Sequence, residues 1–269
     1  MEDESGSSTG EVMTWHHGLI ARWWANFNVG GPEVDFFRSD VAAGQPALDV
    51  GCGTGRLLVP WVADGLDVDG VDPSVDMIEE CRTAAAAVGG EPTLVVQPVH
   101  QLDLARRYGA VVMCGSFGLG GTRAQDLEGL RRIRGHLRPG GSLALDYEVN
   151  EFDADRAGRW RPIPPDTTPP PESERRRAPD GFHYALRQRV ASMDLEPASI
   201  TREVQAWQWR DDVLVAHETW SIVINPYSRE QIVGALSDAG FGDVTVVGGY
   251  HGLEPTGDER FLVYRATAP

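Results

Sequence analysis

The stretch ALDVGCGTGRLLVPW, residues 47–61, constrains the fold of this chain more than any other part of it. Ala47, Leu48 and Val50 form a short apolar run, which is typical of the end of a strand buried on both faces of a parallel sheet. Residues 56–65 predict a helix, and three alternate glycines separate it from the strand. Glycine lets a backbone approach a ligand closely, and a helix N-terminus offers unpaired N–H groups. The sequence therefore predicts a strand–turn–helix unit built around a cofactor.

The spacing of the glycines decides between kinds of nucleotide-binding turn. A dinucleotide fold needs G-x-G-x-x-G, and Arg56 stands where its third glycine would be. A P-loop needs a lysine, whereas all 24 basic residues of the chain are arginines, which also excludes Schiff-base chemistry. The pattern that remains is G-x-G-x-G at Gly51, Gly53 and Gly55, with Asp49 two residues before it.

These residues resemble the first motif, D/E-x-G-x-G-x-G, of the class I S-adenosylmethionine-dependent methyltransferases. Two further landmarks follow in the order that this family shows. A strand at 68–71 ends in Asp72, whose carboxylate can accept hydrogen bonds from ribose hydroxyls. Residues 137–149, LRPGGSLALDYEV, resemble the turn and fifth strand of the family. The resemblance implies S-adenosylmethionine as the cofactor.

Strand and helix patterns alternate along the chain, which predicts an α/β fold with a doubly wound, mostly parallel, Rossmann-like sheet. The resemblance implies seven strands, the last two of them antiparallel. We expect an N-terminal helical lid, broken at Gly30-Gly31-Pro32, and an antiparallel meander inserted after the fifth strand. The expected segments are a disordered tail at 1–10, the lid at 11–45, the cofactor-binding core at 46–150, a proline-rich loop and meander at 151–226, and the final helix and strands at 227–269.

The meander is predicted from strand-like alternation in Tyr184–Asp194, Ile200–Arg210 and Val213–Ile224. The preceding residues 161–180 are rich in proline and predict little regular structure. An exposed edge of such a meander favours pairing with a second copy, so we expect a homodimer.

Charge and composition exclude several classes of partner. The net charge of −16 argues against a nucleic-acid substrate and against anionic membranes, because both require a basic surface. The acidic N-terminus is unlike a signal peptide, and we find no apolar stretch long enough to span a bilayer. The three cysteines lack metal-ligand spacing. We therefore expect a cytoplasmic enzyme without a metal, acting on a small molecule.

The resemblance assigns roles to the cofactor residues. Asp49 is expected to orient the glycine turn and reach the methionine end, and the Cys114 carbonyl to hold the methionine ammonium. The family often has an acid for the adenine after the third strand, but this chain has none there. Gln97, His100 or Gln101 is a candidate to replace it, the alternative being backbone groups with Val99. The complete predicted set is Asp49, Gly51, Gly53, Gly55, Asp72, Pro73, Met77, Gln97, Val99, His100 and Cys114.

The chain also resembles the small-molecule and amino-sugar N-methyltransferases of natural-product biosynthesis, in its N-terminal helix, its CGSFG stretch and its meander. These enzymes often carry Tyr-Asp-x-x-Tyr in the lid, where this chain has Trp24 and Asn28 at the tyrosine positions. Their histidine after the fourth strand is absent, so no catalytic residue is carried over. The predicted acceptor pocket consists of Trp24, Asn28, Ser116, Phe117 and Tyr147.

Two residues are candidates for catalysis. Glu148, at the end of the fifth strand, is predicted to pair with a substrate amine or to take its proton, the alternative being an exposed edge acid. His17 is the second candidate: His16 and His17 are adjacent and point to different sides of a helix, so one of them can face the cleft, the alternative being a surface histidine. The predicted function is methyl transfer to an amine of a natural product or sugar. The alternatives are an O- or C-methyltransferase on an aromatic or polyketide acceptor, and a non-methylating protein that retains the cofactor.

Overall fold

The computed structural model describes residues 14–149 and 158–269, so the expected tail at 1–10 lies outside the described residues. The helices are α1 (Gly18–Phe27), α2 (Pro32–Ala43), α3 (Leu58–Ala63), α4 (Val75–Ala87), α5 (Arg123–His136) and α6 (Arg229–Asp238). The strands are β1 (Ala47–Val50), β2 (Val68–Asp72), β3 (Leu94–Val96), β4 (Tyr108–Met113), β5 (Leu137–Glu148), β6 (Arg176–Arg177), β7 (His183–Leu195), β8 (Ala198–Arg210), β9 (Val213–Ile224), β10 (Gly242–Gly248) and β11 (Phe261–Thr267). Within these described ranges, none of the helices combines the length and apolarity needed to cross a membrane.

The larger sheet has seven strands in the order β10-β11-β5-β4-β1-β2-β3. Strands β1 to β5 are parallel where they pair, and β11 runs antiparallel to both of its neighbours. The predicted α/β fold with a mostly parallel seven-stranded sheet is confirmed. The strand order reverses between β1 and β4, and such a switch point leaves a crevice at the carboxyl ends of the strands. The glycine-rich turn after β1 therefore lies where a ligand binds in folds of this kind.

The predicted break in the N-terminal helices is also present. Gly30 and Gly31 have φ of +73° and +145°, and Pro32 begins α2. Helix α1 packs its apolar face on β8 and β9 of the second sheet. Its first two N–H groups donate to carboxylates of two different elements: Gly18 to Asp76 of α4 at 2.8 Å, and Leu19 to Glu218 of β9 at 2.9 Å. This helix therefore connects the larger sheet's layer to the second sheet.

The second sheet is antiparallel with the order β6-β7-β8-β9, which confirms the three predicted strands of the meander. Strand β6 was missed because its two residues, inside the proline-rich segment, are too few to show alternation. Strand β9 forms an edge of this sheet, and its Val213 and Val215 are exposed. A homodimer through that edge stays a prediction.

The C-terminal helix α6 begins with a complete capping box. The Ser228 hydroxyl accepts the Gln231 N–H at 3.2 Å, and the Gln231 side chain accepts the Ser228 N–H at 2.8 Å. Both donors belong to the helix end, where no intrahelical partner exists.

Removal of this cap gives the first prediction. Ser228→Ala should lower the free energy of unfolding by about 1 kcal/mol, because the Gln231 N–H loses its acceptor. Ser237→Ala is the control, since Ser237 is exposed near the other end of the same helix. Equal urea-unfolding midpoints for the two variants would contradict the capping role.

Candidate functional site

A cavity of about 660 Å³ opens at the carboxyl ends of β1, β2, β4 and β5. Residues of α1 and of the second sheet cover it, among them Trp24, Ile222 and Ile224. Fourteen of the residues predicted from the sequence line this one cavity. They are Trp24, Asn28, Asp49, Gly51, Gly53, Asp72, Pro73, Met77, Gln97, Val99, His100, Cys114, Ser116 and Glu148.

The glycine turn presents its backbone to the cavity. Gly53 has φ of +54°, and a Cβ added there would meet nothing closer than the Met77 sulfur at 4.0 Å. Gly55 differs, since a Cβ there would lie 2.6 Å from Val59 and 2.9 Å from Cys81. Gly53 therefore leaves room for a ligand. Gly55, predicted to line the cofactor, lies outside the cavity and allows the turn to pack on the helices behind it.

Two carboxylates, those of Asp49 and Asp72, flank the glycine turn, and they differ in their hydrogen-bond partners. Asp72 accepts the N–H groups of Gly53 at 3.0 Å and of Ser74 at 2.8 Å. The backbone of the turn is therefore bound by Asp72 and not, as expected, by Asp49. Asp49 Oδ2 is buried without a hydrogen-bond partner in residues 14–149 and 158–269. An acceptor left this way inside a protein requires a donor from elsewhere.

The electrostatics of these acids favour a donor that carries a positive charge. Burial, and then the nearby Asp72, raise the pKa of Asp49 to about 7. Burial raises the pKa of Asp72 to about 6, although its two backbone hydrogen bonds act in the opposite direction. A cation between them would stabilise both charged forms. S-adenosylmethionine, the cofactor expected from the sequence, carries an ammonium and a sulfonium, so these residues fit it.

The other end of the cavity contains polar groups after β3 and at the start of α5. Gln97 lines it, but its side-chain oxygen already accepts the Asp103 N–H at 3.0 Å. Gln101 is not among the lining residues. Asp126, which sequence reasoning missed, is buried there and accepts hydrogen bonds from Asn225 at 2.8 Å and Tyr227 at 2.7 Å. Burial raises the pKa of Asp126. An acid in the first turn of a capped helix was the available signal.

Alternation along β5 determines which of its side chains reach the cavity. Asp146 and Glu148 line it, so Tyr147 between them points to the opposite face. There the Tyr147 hydroxyl bonds the Asn225 carbonyl at 3.1 Å, and its ring lies 6.3 Å from that of Phe117. Tyr147 and Phe117, both predicted for the acceptor pocket, are therefore core residues outside the cavity. Accepting Glu148 as a lining residue should have identified Asp146, two positions earlier.

Asp146 is the centre of a hydrogen-bond network. Its carboxylate accepts the Cys114 thiol at 3.0 Å, the Gly115 N–H and the Tyr250 hydroxyl. Burial and the Asp146 charge raise the pKa of Tyr250, so this phenol stays neutral and donates to the carboxylate. Glu148, the predicted catalytic acid, lies beside this network and pairs with Arg260 at 3.0 Å.

The two histidines before α1 differ from the prediction. His17 lies outside the cavity, with Nδ1 3.6 Å from Asp76 and its ring 4.9 Å from that of Trp220. Its neighbour His16 points to the other side and lines the cavity. His16 Nε2 accepts the Trp15 indole N–H at 3.0 Å, so Nδ1 carries the proton of the neutral ring, 2.6 Å from Thr14 Oγ1. Burial and His17 lower the pKa of His16 to about 4.

The sequence predicts an enzyme without a metal, and the arrangement of possible metal ligands bears on this expectation. Among the described residues, no group of histidine, cysteine and acidic side chains is arranged to hold a metal ion. Six carboxylates line the cavity and suit an organic cation, while Arg56, Arg202 and Arg260 line it as well.

The chain matches a known family over its core. Residues 47–141 match the family model described as a methyltransferase domain. No curated protein sequence is similar enough to count as a match. The matched range contains the glycine turn, Asp72 and the end of β4.

Solved structures extend the similarity to most of the chain. A sugar N-methyltransferase from Streptoalloteichus sp. ATCC 53650 has a TM-score of 0.66 at 19% identity over 98% of both chains. An S-adenosylmethionine-dependent methyltransferase from Clostridium acetobutylicum ATCC 824 has a TM-score of 0.65 at 15% identity, over 88% of this chain and 90% of the other. An amino pentose methyltransferase from Micromonospora echinaspora, solved with S-adenosylmethionine bound, has 0.57 at 21% identity, over 88% and 89%. At these identities the likeness shows the fold.

The raised pKa values predict how stability depends on pH. Both acids titrate near pH 4 in the unfolded chain, so the folded protein holds extra protons up to about pH 7. The free energy of unfolding should therefore fall as the pH rises through this window. Asp49→Asn should flatten that fall and make the ligand-free protein more stable than the wild type at pH 8.

The measurement is urea unfolding at several pH values between 4 and 8. Asp212→Asn serves as the control, because that side chain is 93% exposed. A wild-type pH slope that persists in Asp49→Asn would contradict the assignment of the raised pKa to Asp49.

Proposed function

We propose that this class I S-adenosylmethionine-dependent methyltransferase transfers the methyl group to an amine nitrogen of a small molecule, such as an amino sugar or another natural product. The observation that supports an amine most directly is the carboxylate of Asp146, which faces the cavity near the end of β5. Carboxylates bind and orient amines, and the aromatic face of Trp24 on the covering helix is a further site for a cationic group.

In this proposal, different residues of the cavity bind different parts of S-adenosylmethionine. Asp49, with its unpartnered oxygen, holds the ammonium of S-adenosylmethionine, and Asp72 accepts the ribose hydroxyls. Gly53 leaves the space that the cofactor fills. Val99, His100 and the buried Asp126 line the part of the cavity that would hold the base. When bound, S-adenosylmethionine supplies a methyl group on a sulfonium, which is electrophilic without further activation.

The remaining side chains orient the acceptor and exclude water. Trp15 and Trp24 cover the cavity from the lid, while Ile222 and Ile224 do so from β9. A water-poor site with both reactants in line provides most of the acceleration that such a transfer needs. A neutral amine needs its lone pair directed at the methyl group, and the Asp146 network at the end of β4 and β5 is placed to accept its N–H.

The state of the titratable groups favours an amine over a hydroxyl acceptor. An oxygen nucleophile requires a base at the attacking atom. His16 is held as a neutral ring between Trp15 and Thr14, Tyr250 donates to Asp146, and Glu148 is paired with Arg260. Each of these groups is already engaged, whereas an amine that arrives neutral needs none of them as a base. The O- and C-methylating alternatives are less well supported for this reason.

The proposed function predicts turnover with labelled S-adenosylmethionine and a panel of primary and secondary amines. Methylated amine should be detected by mass, and the corresponding alcohols should give none.

Asp72→Ala should weaken cofactor binding by about 1.5–3 kcal/mol, because hydrogen bonds to a charged group are lost. Asp72→Asn is the control, since it keeps an acceptor for the Gly53 N–H and should lose less.

Two results would contradict this proposal. Methylated alcohols without methylated amines would move the function to O-methylation. Tight cofactor binding without methyl transfer to any of the amines or alcohols would favour the alternative that the protein binds the cofactor but does not methylate. Calorimetric titration with the cofactor separates this second case from a protein that fails to bind it.

The lid gives a further prediction. Trp24→Ala should lower kcat/KM for the acceptor by about tenfold, mainly through KM, because an aromatic wall of the cavity is lost. Trp23→Ala is the matched control: Trp23 lies on the same helix and packs against Trp24 and Phe27, but it does not line the cavity. An equal decrease in kcat/KM in the two variants would show that α1 contributes only packing and that Trp24 does not contact the acceptor.

A further inference from the structure

Arg202 occupies an unusual position on the second sheet. It lies in the middle of β8, opposite Ile222 on β9 and Val190 on β7. Ile200 and Val204, two positions away on the same strand, share its face, since side chains alternate along a strand. All four neighbours are aliphatic, and they belong to the apolar cluster that packs under α1. A guanidinium has therefore been placed on the apolar face of this sheet.

Among the described residues, none pairs directly with the Arg202 guanidinium. The Arg202 side chain lines the cavity, and no residue in the two described ranges forms a hydrogen bond or an ion pair with it. Two other arginines of the sheet are paired with carboxylates: Arg189 with Glu203 at 2.7 Å, and Arg187 with Glu174 at 3.1 Å. A charge surrounded by apolar groups is unfavourable unless it is paired. The position of Arg202 is accounted for when an anion from outside the chain occupies the cavity.

We propose that Arg202 binds a carboxylate or phosphate group of the methyl acceptor, an inference that rests on the proposed function. The acceptor is then an amine that also carries an anionic group. Its anion lies against Arg202, its apolar part against Ile222 and Ile224, and its amine toward Asp146. The guanidinium suits this role because it can donate two parallel hydrogen bonds to either kind of anion.

The charge of the whole chain gives such a contact its specificity. With a net charge of −16 the protein repels anions, so an anionic small molecule is not drawn to its surface in general. The carboxylates in the cavity, Glu148 among them, would repel it as well. Arg202 on the opposite wall therefore selects molecules in which an anion and an amine are separated by an apolar body.

The experiment uses matched pairs that differ only in the anionic group. Phenylalanine against phenethylamine tests a carboxylate, and glucosamine 6-phosphate against glucosamine tests a phosphate. Binding to the full-length protein is measured by calorimetry with saturating S-adenosylhomocysteine, and methyl transfer is followed by mass. The wild type should bind the anionic member of at least one pair about tenfold or more tightly, which is the scale of hydrogen bonds between charged groups. The pair that shows the preference identifies the anion.

Substitutions test whether Arg202 causes the preference for the anionic member of a pair. Arg202→Met should abolish it, and Arg202→Lys should retain part of it, since the charge remains. Arg177→Met is the control, because it removes the same charge from β6, where the side chain is exposed. Unchanged unfolding temperatures show that the variants are folded.

The outcomes separate this inference from the proposed function. No preference for either anion in the wild type, or a preference that survives Arg202→Met, overturns the role of Arg202. Methylation of neutral amines with unchanged efficiency in Arg202→Met then leaves amine methylation standing. Arg202-dependent binding of an anion without methylation of any amine supports the anion site and overturns the amine proposal.

Discussion

The rest of the structure depends on the placement of two carboxylates at the ends of adjacent parallel strands. Asp49 of β1 and Asp72 of β2 are both buried, and their strands pair directly. Because parallel strands end at one edge of a sheet, their charges accumulate there, and water is too scarce to screen them. Asp72 is stabilised by the backbone of the glycine turn, whereas Asp49 is not. The fold thus contains a local excess of negative charge that protonation or a bound cation relieves. Stability of the empty protein and affinity for its cofactor are opposed at this point.

Most of the architecture could be predicted from the sequence because its signals are local. The glycine turn after β1, the caps at Thr122 and Ser228, and the alternation in β7 to β9 each lie within a few consecutive residues. The contacts that were missed join distant segments. Tyr250 reaches Asp146 across 104 residues, and Tyr227 reaches Asp126 across 101. A local sequence pattern cannot predict a hydrogen bond between such distant residues, because the bond depends on which loops the folded sheet brings together.

The errors at the site were mainly errors of direction rather than of position. Tyr147, Phe117 and His17 all lie within one or two residues of side chains that do line the cavity. In β5 the alternation of side chains makes Glu148 and Tyr147 mutually exclusive as lining residues, so the choice of one fixes the other. For the lid no such rule applied, because His16 and His17 precede the helix and their directions depend on Trp15 and Asp76. A strand therefore permits a stricter prediction than the segment before a helix.

The lid helix is held by different forces at its two ends. Its N-terminus is bound through N–H groups to the carboxylates of Asp76 and Glu218. In its C-terminal half, Trp23 packs against Phe27, and Phe27 packs against Tyr184. Dissolved salt screens the first kind of contact and leaves ring packing almost unaffected. High ionic strength therefore weakens the contacts at the beginning of the helix before those at its end. The strength with which this helix covers the cavity therefore depends on the surrounding electrolyte at one of its ends only.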